Sequence, residues 1–348
     1  MVWETPRSCP HFPKSNLQTL RFAYGRHMKN HKRVNRLIDE AVKERRCAFS
    51  SVGSENAALR RRAVNGELLR PARSLYVPVD YWNNLSPPER SMHMARAMAK
   101  QHRKWVFVGA VAAYAHGFEH SWKLHDGTVS IANAYQNSFS RVAKIRRVYV
   151  PEERMFVKVV DGVPVLGEVP TVLSCSAQYD FPFGLQIADS ALRQGIGYSD
   201  LKTGCSGMRV GYTQMARVLR YADGASENGG ESLCRAVIID AGYMVPLLQV
   251  VFTDPKTGRT FRADFVWHLP DGRVVVGEYD GSQKYVDPQM TDYKSIQAVV
   301  QEEREREAAL LRAGVAAIVR FSYDDAVERT PLVCKLQQAG IPRFLPNY

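Results

Sequence analysis

Apolar residues in this chain follow two rhythms, and the changes between them mark out its elements. From Val34 the rhythm is helical. Leu37, Ile38, Ala41 and Val42 recur at three and four residues, which predicts one apolar stripe on a helix of about eleven residues ending near Glu44. Ser54 offers an N-cap for a short helix over 55–65, with Ala58, Leu59 and Val64 inward and Arg60, Arg61 and Arg62 mostly outward. Gly66 suits the stop of that helix, and LLRPARSLYV over 68–77 reads as two short strands around a turn. Ser86-Pro-Pro-Glu89 then opens an amphipathic helix to about Gln101, with Met92, Ala95, Met98 and Ala99 inward. Residues 105–117 carry a short strand into an apolar helix, 128–165 alternate β-like runs with turns, and 189–194 are helical.

A Gly- and Ser-containing boundary at 224–230 precedes the last third of the chain. There the pattern predicts a helix over 231–242, a strand over 249–253, and a hairpin whose strands cover 261–267 and 273–280 around Leu269-Pro-Asp-Gly272. A long charged helix over 290–313 and a strand over 316–321 complete the order α-β-β-β-α-β.

The hairpin RADFVWHLPDGRVVVGEYDGSQKY, residues 262–285, is chemically out of place. Strands this rich in Val and Phe bury at least one face, and Asp and Glu are depleted from them. Yet Asp264, Glu278 and Asp280 all fall within it. With a period of two, Glu278 and Asp280 share a side, and the hairpin can bring Asp264 beside them. Three carboxylates on adjacent strands repel unless a cation lies between them. A divalent ion on oxygen ligands, Mg²⁺ by its preference for one or two carboxylates with water and phosphate oxygens, is the economical counter-charge. Lys284 adds a positive charge for a phosphate or a nucleophilic water.

Composition changes the picture in one respect. The net charge of +12 is not spread along the chain: residues 1–105 hold 21 Lys and Arg against 8 Asp and Glu, and residues 106–348 hold 26 against 27. A basic block joined to a neutral body points to a polyanion-binding module, with DNA as the leading partner. Residues 1–30 read as an extended lead-in. The chain has no apolar run of membrane-spanning length, and its N-terminus lacks the apolar middle of a signal peptide, so a cytoplasmic protein without membrane association is expected. Six cysteines without a C-x-x-C spacing are read as free thiols. His116, His120 and His125 have a spacing that would suit zinc on one helical face, but Gly117 interrupts the helix there.

Helix, turn, arginine-bearing helix and β-ribbon is the order of a winged helix-turn-helix. In such a module Arg60, Arg61 and Arg62 would meet bases or phosphates, and Arg70 and Arg73 would meet phosphates. The run AALRRRAVNGELLRPARSLYVP resembles the N-terminal domain of AbiEi-type antitoxins and related actinobacterial regulators. The segments GAVAAYAHGF and DGVPVLGEVPTVLSC resemble the body of those proteins. The C-terminal order, with Glu231-Ser-Leu-Cys-Arg235, Asp264-Phe-Val-Trp267 and Glu278-Tyr-Asp-Gly281, resembles the PD-(D/E)XK nuclease-like fold, in the branch related to very-short-patch-repair endonucleases.

These resemblances imply an α+β multidomain chain. Its parts would be a lead-in at 1–30, a winged helix-turn-helix at 31–82, an AbiEi-like α+β middle region at 86–222, and an α/β restriction-endonuclease-like domain at 225–348. They make Asp264 and Glu278 metal ligands and Glu231 an outer acidic group. The nuclease motif places a lysine two residues after its second acid, where this chain has Asp280; either Lys284 substitutes for it, or Asp280 itself holds metal, or the site is inactive. The resemblances imply one of two functions. One is a Mg²⁺-dependent DNA endonuclease with Asp264, Glu278, Asp280, Lys284 and Glu231 at its centre. The other is a non-catalytic transcriptional regulator of a toxin–antitoxin type system, partnered by DNA and by a cognate toxin or a second copy of itself.

Overall fold

The computed structural model describes residues 32–135, 144–208, 210–280 and 296–344. It is a mixed α+β protein, and among the described residues the strands form three sheets, of two, five and four strands. Its contacts divide the chain into two compact units, Met1–Cys175 and Ser176–Tyr348.

The first unit begins with α1 (Lys32–Lys43) and α2 (Gly53–Val64), followed by the ribbon of β1 (Leu68–Ala72) and β2 (Leu75–Pro78). Val34, Ile38, Ala41, Ala58, Leu59, Leu68 and Tyr76 form one small core under these elements. Val64, expected inward, is 82% exposed, because the inner face of α2 is set by Ala58, Leu59 and Arg62, and Val64 lies well round the helix from them. The ribbon has a second buried set. Ala72, Leu75 and Val77 join Met92, Met94, Ala95 and Met98 of the helix over 87–101 in a larger core, so residues 32–78 are fused to that helix rather than hung from a linker.

After the short α3 (Val79–Asn83) comes α4 (Pro87–Gln101), opened as its sequence requires: Ser86 and Glu89 form a reciprocal capping box, with Ser86 N–H donating to Glu89 Oε2 at 2.8 Å. The chain continues through β3 (Phe107–Val108), α5 (Ala110–Ala115), β4 (Val129–Asn133), β5 (Ile145–Tyr149), β6 (Val157–Val160) and β7 (Val163–Leu166). These strands make the five-stranded sheet in the order β5-β4-β3-β7-β6. The helix α6 (Glu168–Gln178) spans the division between the units.

The second unit carries α7 (Phe181–Arg193), α8 (Tyr198–Cys205), α9 (Tyr212–Tyr221), α10 (Gly229–Asp240), β8 (Leu247–Thr253), β9 (Thr260–His268), β10 (Val274–Asp280), α11 (Ile296–Arg312), β11 (Val315–Ser322), α12 (Tyr323–Glu328) and α13 (Thr330–Gln338). Its sheet runs β11-β10-β9-β8, with β10 and β11 parallel and the other neighbours antiparallel. One face is covered by α10, α12 and α13 through Leu233, Val237, Phe265, Trp267, Phe321, Leu332 and Leu336. The other face packs Val266, Val276 and Val315 against Leu310 of α11. Gly277 has no side chain because Phe321, Trp267 and Phe265 crowd over it, at 2.8 to 3.1 Å from where a Cβ would stand.

The domain boundary expected at 222–225 lies inside this unit, because α7 and α10 are locked together. Arg235 donates from Nη2 to both carboxylate oxygens of Asp189 at 2.7 Å and from Nη1 to the Tyr221 carbonyl at 2.6 Å. Gln186 Nε2 reaches the Gly229 carbonyl at 2.8 Å. Both members of the ion pair are buried, and either charge left alone there would be strongly destabilising. The arginine of the E-S-x-x-R helix therefore ties residues 181–223 to the C-terminal sheet. Among the described residues, no helix is long and apolar enough to cross a membrane.

Candidate functional site

Two surfaces gather the residues singled out from the sequence, one in each unit. In the first unit Arg60 and Arg61 are exposed on α2, Arg70 is exposed on β1, and Arg73 is exposed in the turn of the ribbon. Arg62 is a correction to the expected set. It is 5% exposed, donates from Nη2 to Asn35 Oδ1 at 2.8 Å, and lies 3.8 Å from the Glu67 carboxylate. The reason is helical geometry: Arg62 falls three and four residues after Leu59 and Ala58, on the buried face, and uses its length to reach α1.

In the second unit, β9 and β10 pair through Val276↔Val266 and Gly277↔Phe265, and their recorded pairing ends there, just before Glu278 and Asp264. Asp264 turns its carboxylate back to the neighbouring strand and accepts the Tyr279 N–H on Oδ2 at 2.8 Å. The Tyr279 side chain lies over Gly230, whose missing Cβ would stand 2.1 Å from the phenol oxygen.

Beside Asp264 the edge strand β8 changes face. Leu248 belongs to the core on the α10 side, whereas Val250 and Phe252 belong to the core on the α11 side, although residues 248 and 250 would share a face in a regular strand. The residue between them, Gln249, has φ +53, in the left-handed region that a non-glycine residue seldom adopts. Such an irregularity re-aims a side chain. Gln249 Nε2 thereby donates to Glu231 Oε2 at 3.0 Å. Sequence reasoning did not single out Gln249, and an uncharged residue in a strand gives no signal for it.

Glu231 sits in the first turn of α10 and is 3% exposed. It accepts from the Glu227 N–H at 2.8 Å and from Asn228 Nδ2 at 2.7 Å. Burial pushes its carboxyl up to about 7; the Glu227 N–H acts against this, and the neighbouring Asp264 and Glu227 carboxylates add to it. Glu231 is thus a carboxyl that titrates near neutrality beside Asp264.

Glu278 has a different neighbour. Arg306, on α11, donates from a single nitrogen, Nη2, to Glu278 Oε1 at 2.9 Å, to Glu278 Oε2 at 2.7 Å and to the Arg262 carbonyl at 2.6 Å. This contact spans 28 residues, and the helical pattern of 290–313 did not mark Arg306 as different from its charged neighbours. Glu278, Asp280, Arg306, Glu303, Glu307 and Arg320 line one shallow cleft, in which four carboxylates face two guanidinium groups. Lys284 lies outside the described residues.

The expected Mg²⁺ ligands can be tested on this geometry. One oxygen of Asp264 is taken by a backbone N–H, both oxygens of Glu278 by Arg306, and Glu231 by three protein donors. Among the described residues, no three His, Cys, Asp or Glu side chains are gathered around one point. As arranged, the Glu278 carboxylate faces a guanidinium where a divalent cation was expected.

A third polar group lies in the core of the first unit. His120 Nδ1 is 2.6 Å from the Phe118 carbonyl, His120 Nε2 is 2.8 Å from His125 Nε2, and His125 Nδ1 is 3.0 Å from Ser91 Oγ. The carbonyl can only accept, so His120 donates from Nδ1 and, as a neutral ring, accepts on Nε2. His125 then donates from Nε2 and accepts the Ser91 hydroxyl on Nδ1. Similarly, His93 donates from Nδ1 to the Glu89 carbonyl at 2.7 Å, which leaves Nε2 to accept the Tyr81 hydroxyl at 2.8 Å. Each arrangement is satisfied by neutral rings. Burial pulls His93 and His120 down to about 4 and His125 well below the usual histidine value. The histidines whose spacing suggested zinc are therefore hydrogen-bonded core groups. His116 stands apart from the pair, with Nε2 donating to the Leu166 carbonyl at 2.6 Å.

No family model matches the sequence, and no curated protein does. A solved structure, that of the RV2827C protein from Mycobacterium tuberculosis, is similar with a TM-score of 0.34 and 14% identity, over 51% of this chain and 68% of that one.

Proposed function

We propose that this chain is a cytoplasmic DNA-binding regulator that contacts DNA through a winged helix-turn-helix in its first unit and carries a restriction-endonuclease-like second unit that does not cut. The observation that supports it most is the set of exposed arginines on one helix and its ribbon: Arg60, Arg61, Arg70 and Arg73. Arginines on a helix and on an adjoining ribbon suit one partner, a groove bordered by phosphates. The cleft around Glu278 has the opposite character, with carboxylates in excess, and would repel a phosphate backbone. An antitoxin-like role, with a cognate toxin or a second copy of the chain as protein partner, is the form of regulation that the AbiEi resemblance suggests.

The endonuclease reading draws on one specific observation: the irregular β8 brings Gln249 to Glu231, whose carboxyl lies near Asp264 in the middle of β9. Incubation of supercoiled plasmid with the full chain and Mg²⁺ or Mn²⁺ separates the readings. The regulator leaves the plasmid intact while shifting it in a binding gel. Nicking that disappears in Asp264→Ala would overturn the regulator.

A further inference from the structure

We propose that Arg306 is a built-in substitute for a divalent cation, so that the acidic site of the C-terminal unit is neutralised by the protein itself. One nitrogen of Arg306 lies 2.6 to 2.9 Å from three oxygens: both carboxylate oxygens of Glu278 and the backbone carbonyl of Arg262. A bidentate carboxylate joined by a main-chain carbonyl is a donor set that hard cations use. Here it closes around a guanidinium, which is always charged and needs no release of bound water from a metal shell.

The surroundings favour a cation in that position. Asp280, Glu303 and Glu307 line the same cleft, and Arg320, its other cation, is held by Glu303 at 3.1 Å and Glu307 at 3.5 Å. Deleting Arg306 would therefore remove a positive charge from a cleft already rich in carboxylates, and the cleft would draw a positive ion from solution. The Arg306 side chain is 38% exposed and that of Glu278 17%, so an ion can reach the position. Arg306 is fixed to α11, whose Leu310 is buried in the core one turn further on, and this anchors the guanidinium without help from a ligand. The departure at Asp280 belongs to the same picture: a further carboxylate stands where the nuclease motif has a lysine, and the positive charge comes from the helix instead.

The inference concerns Glu278 and Arg306 alone and does not depend on DNA binding by the first unit. It is tested by Mn²⁺ binding to the full chain, followed by electron paramagnetic resonance of the free ion, for wild type, Glu278→Gln, Arg306→Ser and the double variant. Wild type and Glu278→Gln are expected to give the same titration. Arg306→Ser should gain one Mn²⁺ site per chain, at least about tenfold tighter than any site in wild type, and the double variant should lose it. Two results would overturn the proposal: Mn²⁺ binding by wild type that Glu278→Gln abolishes, or no gained site in an Arg306→Ser protein whose circular dichroism and melting match wild type. If Arg306→Ser does not fold, wild type and Glu278→Gln decide between them, since equal titrations uphold the substitute and unequal ones refute it.

Discussion

Arginine is used in opposite ways on the ribbon module of the first unit and around the sheet of the second. On α2 and the ribbon, Arg60, Arg61, Arg70 and Arg73 face solvent and form no ion pair among the described residues. In the second unit several guanidinium groups are held by carboxylates: Arg235 by Asp189, Arg306 by Glu278, Arg312 by Asp254, Arg320 by Glu303 and Glu307, and Arg217 by Asp240. The contrast gives physical meaning to the charge segregation along the chain. Basic charge is available to a polyanion only where the protein has not already paired it, as at these four positions of α2 and its ribbon. Counting charges finds the basic half, but only the pairing shows which arginines remain available.

The largest effect should come from the buried pair. Arg235→Ala would leave Asp189 ionised without its counter-charge at 0% exposure, with the Asp223 N–H still donating to it, or force it to take a proton, and should cost about 3–5 kcal/mol in urea unfolding. A loss under about 1 kcal/mol would mean that α7 and α10 are not held by this ion pair.

Buried titratable groups in the two units also differ in the sign of their contribution to the pH dependence. In the first unit His93, His120 and His125 are held neutral, with folded values below the unfolded one. The unfolded chain therefore binds more protons, and stability falls as pH drops from about 6.5 towards 4, by up to about 1.4 kcal/mol per pH unit for each ring. In the second unit Glu231 is raised to about 7. Its contribution is fully present below about pH 4.5 and is lost as pH rises through 7, again by up to about 1.4 kcal/mol per unit. Hydrogen exchange by mass spectrometry, with peptides from each unit followed in urea at several pH values, should show the first unit weakening on the acid side and the second on the neutral side. Glu231→Gln should flatten the second trend and leave the first alone. Parallel trends in the two units would break the comparison.

The smallest effect belongs to the exposed pairs of the second unit. Arg320→Ala, which removes contacts to Glu303 and Glu307 with side chains 42% to 46% exposed, should change stability by less than about 1 kcal/mol. A larger loss in urea unfolding would show that the cleft acts as a cooperative network.

Local signals carried much of the fold. The capping box at Ser86 and Glu89, the ribbon after Gly66 and the α-β-β-β-α-β order were all legible, because each rests on neighbours within a few residues. Arg62 was legible too, since its spacing from Ala58 and Leu59 already puts it on the buried face of α2. The rest depends on contacts distant in sequence. Ser91 meets His125 across 34 residues, Asp189 meets Arg235 across 46, and Glu278 meets Arg306 across 28. Nothing in the periodicity of either partner announces them. The bend at Gln249 was hidden for another reason: its backbone conformation is fixed by the strands beside it, and its own residue type does not ask for it.

The most direct test of the central claim is the salt dependence of DNA binding by the full chain, wild type against Arg60→Ala/Arg61→Ala/Arg70→Ala/Arg73→Ala. If these four arginines meet phosphates, log K against log salt should lose a slope of about 3 to 4, at about 0.9 per contact, while Arg306→Ser leaves the slope as it was. An unchanged slope in the fourfold variant, or an equal loss in Arg306→Ser, would place the DNA elsewhere and contradict the account.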